Sequence, residues 1–125
     1  MPSVLIVEDD QEIRELIGDV LTLEGYTVHS LERLPHGLDK VRSINPDVIV
    51  LDLGLPGIGG IEILRIIRED PVLGKVPIVV CSGAVDTIQQ HADEFRELNI
   101  PVVKKPFNLE QLLTTVRNPT VPPPA

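Results

Sequence analysis

Apolar and polar residues alternate along this chain in two different rhythms. Val4-Leu5-Ile6-Val7 is a short apolar run that ends abruptly in Glu8-Asp9-Asp10. Unbroken apolarity over that length suits a parallel strand covered on both faces. From Ile13 the period changes. Ile13, Leu16, Ile17, Val20 and Leu21 recur at helical spacing, with Glu12, Glu15 and Asp19 on the other side, which predicts an amphipathic helix. Asp10 stands where an N-cap belongs and Gly25 where a helix stops. Tyr26 to Leu31 then predicts a strand. Leu34, Leu38 and Val41 predict a helix over 34–43, interrupted by Gly37.

The same alternation continues. Val48-Ile49-Val50-Leu51 is the most strand-like segment and ends at Asp52; 53–60 is a loop rich in Gly and Pro. Ile63, Leu64, Ile66 and Ile67 predict a helix ending near Pro71. Pro77 to Cys81 predicts a fourth strand, ending at Ser82-Gly83. Val85, Ile88, Ala92, Phe95 and Leu98 predict a helix over 85–98, Ile100 to Val103 a fifth strand, and Leu109, Leu112, Leu113 and Val116 a last helix. Five strand–helix units of about 20–25 residues predict a doubly wound α/β domain, a parallel sheet with helices on both faces and right-handed crossovers. No internal repeat accompanies them. Residues 118–125 hold four of the twelve prolines and no helical pattern, which predicts a linker or a loose end.

Composition narrows the functional classes. At 125 residues and 13.7 kDa the chain is one ordinary domain that needs no disulfide or metal staple. Aromatic residues are only 2%, so the core is aliphatic and there is no stacking platform for single-stranded nucleic acid. A net charge of −8 argues against nucleic acid or an anionic membrane as a partner of this domain. Cys81 lies inside an apolar run and reads as a buried core residue. The sequence shows neither a basic leader with an apolar core nor an apolar stretch of membrane-spanning length, and a cytoplasmic location is the expectation. The charge is uneven, however. Residues 1–30 carry seven acids against Arg14 alone, −6 of the −8.

In open α/β sheets function gathers outside the carboxyl ends of the strands. The first strand ends in Glu8-Asp9-Asp10, the third in Asp52, the fourth in Ser82 and the fifth at Lys105. Three carboxylates together repel unless a cation sits among them. Oxygen donors without His or Cys suit a hard cation, and Mg²⁺ is the expectation. Lys105 offers a compact positive charge to an anionic group and Ser82 a hydroxyl. A remaining carboxylate can act as nucleophile, so these are the parts for phosphoryl transfer onto a carboxylate. The stretch 54–60 lacks the Gly-Lys-Ser/Thr of a P-loop, which argues against a nucleotide site.

Val4-Leu5-Ile6-Val7-Glu8-Asp9-Asp10, Asp52-Leu53-Gly54-Leu55-Pro56 with Gly60, Ser82-Gly83 and Lys105-Pro106-Phe107 resemble the receiver domain of two-component response regulators, in the right order over residues 3–117. The resemblance implies a flavodoxin-like (βα)5 fold with strand order 2-1-3-4-5. It implies that Asp52 accepts a phosphoryl group from the phosphohistidine of a sensor kinase or phosphotransfer protein. Mg²⁺ would be held by Glu8 through water, by Asp9, by Asp52 and by the backbone carbonyl of Gly54. Ser82 and Lys105 would contact the phosphoryl group, and the Lys105–Pro106 bond would be cis. The face formed by the fourth helix, fifth strand and fifth helix would serve output or homodimer formation. Such a domain is no turnover enzyme; it assists only its own phosphorylation and dephosphorylation. The alternative is a receiver-like interaction module that works without phosphorylation. An aspartate-nucleophile phosphatase of another family fits less well, because Gly54 stands where a second Asp is commonly needed. The pattern departs from the family at Val102, often aromatic, at Leu98-Asn99-Ile100, usually containing Gly-Ala, and at Gly59, often Asp.

Overall fold

The computed structural model describes residues 2–33, 38–54 and 60–119. In chain order the elements are β1 (Ser3–Val7), α1 (Gln11–Leu23), β2 (Thr27–Leu31), α2 (Asp39–Ile44), β3 (Val48–Leu51) and α3 (Gly60–Glu69). They continue with β4 (Ile78–Ser82), α4 (Val85–Gln90), α5 (Ala92–Glu97), β5 (Val102–Lys104) and α6 (Leu109–Arg117). The five strands form one parallel sheet in the order β2-β1-β3-β4-β5. This is the doubly wound, flavodoxin-like fold that the alternation and the resemblance predict.

β3 and β4 are buried along their whole length and β1 from Val4 onward, so their side chains divide by the two-residue period of the strand. Leu5, Val7, Ile49, Leu51, Ile78 and Val80 face one way and pack with Val41, Leu64, Ile67, Ile88 and Phe95 from α2 to α5. Val4, Ile6, Val48, Val50, Val79 and Cys81 face the other way and pack with Ile17 and Leu21 of α1 and Leu112 and Val116 of α6. Two aliphatic half-cores thus clamp the sheet. Burial pushes the Cys81 thiol up to about 12, which leaves it an inert core group.

The helix ends follow local chemistry. The Asp10 carboxylate accepts from the Ile13 amide at 3.2 Å and caps α1, and Asn108 accepts from the Glu110 and Gln111 amides to cap α6. At Gly25 the backbone turns with φ +94°, a conformation that glycine adopts without steric cost.

Two boundaries differ from the sequence pattern. The helix expected over 85–98 is two short helices that meet at His91, where φ is −113°. The break lasts one residue: the His91 amide still donates to the Thr87 carbonyl, and the His91 carbonyl accepts from Phe95. The apolar spacing runs straight through this hitch, because Ile88 and Phe95 remain on the core side. β5 starts at Val102 rather than Ile100. The Ile100 amide closes the preceding turn on the Phe95 carbonyl, Asn99 adopts φ +56°, and Pro101 has no N–H to give to a ladder. The first part of the helix expected over 34–43 and most of the Gly-rich loop, including Gly59, lie outside the described residues. So do residues 120–125 of the Pro-rich tail.

One tertiary ion pair holds the edge of the sheet remote from the acids. Arg42 of α2 donates to both Asp70 oxygens, and Asp70 also accepts from the Val72 and Leu73 amides. The Arg42 guanidinium holds the buried Asp70 carboxyl down at about 2, against burial and with help from the two amides. A carboxylate whose pKa falls on folding stabilises the fold above its unfolded value and loses that contribution as pH drops through the folded one. Asp70→Asn is therefore expected to lower stability at neutral pH. The gap to the wild type should close between about pH 4 and pH 2, as read by urea denaturation across that range; a gap independent of pH would refute the assignment.

Candidate functional site

Parallel pairing delivers the chemistry to one edge. The Asp52 amide donates to the Val7 carbonyl at 3.0 Å, so the residue after β3 is held beside the residues after β1. On the other side, Ser82 of β4 stands in register with Lys104 of β5, and the Lys105 amide donates to the Ser82 carbonyl at 3.0 Å. The Lys105–Pro106 peptide is cis. Glu8, Asp9, Asp52, Ser82 and Lys105 are thus gathered from four strand ends, while Lys104 points outward and is exposed.

Glu8, Asp9 and Asp52 each present a carboxylate oxygen, and the three oxygens lie within 4.8 Å of one another. Glu8, Asp52 and Ser82 are buried, whereas Asp9 is exposed. Lys105 reaches over the group: its ammonium bonds Glu8 Oε1 and lies 3.6 Å from Asp52 Oδ2. Asp52 Oδ1 accepts from the Gly54 amide at 3.1 Å, and the Ser82 hydroxyl oxygen accepts from the Ala84 amide at 3.1 Å. A Cβ on Gly54 would stand 3.8 Å from both Asp52 oxygens, so residue 54 borders the carboxylate directly.

The three ionisable groups shape one another. Burial pushes the Glu8 carboxyl up to about 7; Asp52 adds to this and Lys105 opposes it. For Asp52, burial works against the charge, but Glu8, the Gly54 amide, Lys105 and Ser82 outweigh it and hold the carboxyl below its ordinary value. Burial likewise opposes the Lys105 ammonium, and the two acids overcome it and raise its pKa. Of these two acids, burial raises Glu8 while the partners of Asp52 hold its carboxyl down.

Arg14 is a participant that spacing along the chain does not single out. Its guanidinium donates to the Glu8 carbonyl at 2.9 Å and so braces the turn that carries the acids. Read in one dimension it is only the lone cation on an acidic helix; a single arginine six residues past Glu8 is the sole hint.

The donor set is all oxygen, three carboxylates without imidazole or thiolate, and it fits a hard divalent cation such as Mg²⁺. The class is that of a parallel doubly wound domain with an acid cluster, a hydroxyl and a lysine at the carboxyl edge of its sheet. More particularly, the chain belongs to the response regulator receiver domain family, whose model matches residues 4–117. Among relatives, the DNA-binding response regulator MtrA of Mycolicibacterium smegmatis is 33% identical over 120 residues, covering 91% of this chain and 48% of MtrA. The response regulator ArlR of Staphylococcus aureus is 36% identical over 123 residues, covering 94% of this chain and 52% of ArlR. The chain therefore spans about half the length of these curated relatives. Among solved structures, the chemotaxis protein CheY4 of Vibrio cholerae superposes with a TM-score of 0.83 at 28% identity, covering 95% of this chain and 98% of that one. No helix among the described residues is long and apolar enough to cross a membrane.

A cation that binds only the folded site raises stability by mass action, about 2.7 kcal/mol at one hundred times its Kd. Thermal melting in increasing Mg²⁺ is expected to show a rising Tm. The rise should vanish when Asp9→Asn and Asp52→Asn are combined; a Tm indifferent to Mg²⁺ in the wild type would count against a cation site here.

Proposed function

We propose that this domain accepts a phosphoryl group on Asp52 from a phosphohistidine of a sensor kinase or phosphotransfer protein. The observation that carries the proposal is the setting of Asp52. It is a buried carboxylate whose pKa is held below the ordinary value, with an ammonium 3.6 Å away and two further acids beside it. In the transfer, an Asp52 oxygen forms a bond to phosphorus, the phosphorus–nitrogen bond breaks, and the electron pair leaves with the imidazole. Asp9, Asp52, the Gly54 carbonyl and, through water, Glu8 would hold Mg²⁺, which supplies charge compensation for the phosphoryl oxygens. Lys105 places its ammonium against the incoming anion and Ser82 donates its hydroxyl to it. Turnover is confined to the domain's own phosphorylation and dephosphorylation.

The remaining parts of this reading concern context. Residues 3–117 form the receiver unit and 118–125 a linker or loose end. The face of α4, α5, β5 and α6 serves output or homodimer formation. The domain acts in the cytoplasm, and its net charge of −8 disfavours nucleic acid as its own ligand. MtrA is named for DNA binding, and this chain spans 48% of it. The intact acid and lysine set favours this reading over a module that works without phosphorylation.

Incubation with a small-molecule phosphodonor in Mg²⁺ is expected to label the wild type and not Asp52→Asn; undiminished labelling of the variant would overturn the assignment. The lifetime of the label is also open to prediction. Gly54 borders the Asp52 oxygens, and Ala84 stands beyond Ser82. Both side chains are minimal, so water reaches the acyl phosphate with little obstruction. Bulkier residues at 54 and 84 together are expected to lengthen the lifetime of the phosphoaspartate, and an unchanged decay rate would discard the steric explanation.

A further inference from the structure

We infer that Arg14 is a positioning residue for Asp9: it fixes the peptide that leads into Asp9 and so aims the one exposed carboxylate of the cluster. The inference rests on the cation-assisted reading above and concerns a residue outside the ligand set. Arg14 is the lone lysine or arginine among residues 1–30, against seven acids. Among the described residues it forms an ion pair with none of them. Its half-buried guanidinium donates instead to a neutral acceptor, the Glu8 carbonyl, at 2.9 Å. A cation that passes over so many carboxylates for a carbonyl is placed for geometry rather than for charge balance.

A peptide unit is planar, so the Glu8 carbonyl and the Asp9 amide turn together. The Asp9 amide has no hydrogen-bond partner among the described residues, so the bond from Arg14 is what fixes this plane. The flanks are held separately. The Glu8 amide donates to the Leu31 carbonyl at 3.1 Å, and the Asp10 carbonyl accepts from the Arg14 amide at 2.9 Å. Glu8 and Asp52 are buried and have Lys105 against them. Asp9 is exposed, and its carboxylate has no partner among the described residues, so the set of its backbone decides which way it points. A guanidinium beside a cation site also repels the cation. Position and charge therefore act in opposite directions: removing Arg14 tightens cation binding if its charge governs and weakens it if its hold on the peptide governs. The hold governs here, because a misaimed Asp9 removes a ligand from the set.

Calorimetric titration with Mg²⁺ alone tests this on the wild type, Arg14→Met and Arg14→Lys, each checked for folding by its thermal melt without Mg²⁺. Arg14→Met keeps an apolar stem and loses the donor. It is expected to bind Mg²⁺ about tenfold more weakly, the lower end of what groups behind metal ligands usually contribute. Arg14→Lys keeps a charged donor and should recover part of the loss. In labelling by a phosphodonor, the half-saturating Mg²⁺ should rise by the same factor in Arg14→Met, and saturating Mg²⁺ should restore most of the rate, a split that a general loss of structure does not produce. In the wild type the guanidinium proton resonances of Arg14 should move in step with Mg²⁺ saturation, a readout that needs no variant to fold. Binding by Arg14→Met as tight as the wild type or tighter, a lysine variant no better than the methionine one, or Arg14 resonances that stay put at saturation would each overturn the inference. If Mg²⁺ binds all three proteins alike and Asp52 is labelled, only this inference falls. If Mg²⁺ does not bind the wild type, the cation-assisted reading falls with it.

Discussion

All five strands run the same way, and nearly everything else about this domain depends on that constraint. Parallel strands must be joined by crossovers, so helices come to cover both faces and the central strands lose contact with water. The apolar runs of β1, β3 and β4 answer that demand. The same constraint opens every carboxyl end on one edge. A polar residue placed at or just after the end of an apolar strand has only that edge to occupy; Glu8, Asp52 and Lys105 follow their strands directly and Ser82 is the last residue of β4.

Crowding acids at the edge of a dry core is costly, and the local architecture shows how the cost is contained. Lys105 offsets part of the charge, the Gly54 amide takes one oxygen of Asp52, and Arg14 secures the backbone below Glu8. What remains is an imbalance that suits a small hard cation. Stability and function draw on the same groups in opposite senses here, as they commonly do at sites held ready for chemistry. Elsewhere the balance is unambiguous: the Arg42–Asp70 pair and the two aliphatic half-cores serve the fold alone.

The sequence was most legible where one physical demand dominated. β1 and β3 are marked by unbroken apolar runs closed by acids, and α1 by a clean helical stripe with Asp10 at its head. The strand-end positions of Asp52, Ser82 and Lys105 followed from those runs. Legibility failed where two demands coincide or where the partner is distant in sequence. The break at His91 leaves the apolar spacing intact, so periodicity could not show it. The start of β5 was set by the missing N–H of Pro101 and the turn at Asn99, against the apolarity of Ile100. The contact of Lys105 with Glu8 spans almost the whole chain, and charge alone matched the lysine to an incoming anion, not to the acid beside it.

The backbone bonds around the site carry one more implication. Asp52 is stitched to β1, and Lys105 is stitched to β4 at Ser82, whereas the register of β3 with β4 ends at Leu51 and Val80. The edge is therefore built as two jaws, an acid jaw on β1 and β3 and a hydroxyl-and-lysine jaw on β4 and β5, with the seam between them running out just short of the chemistry. Across that seam Lys105 of one jaw reaches Glu8 and Asp52 of the other.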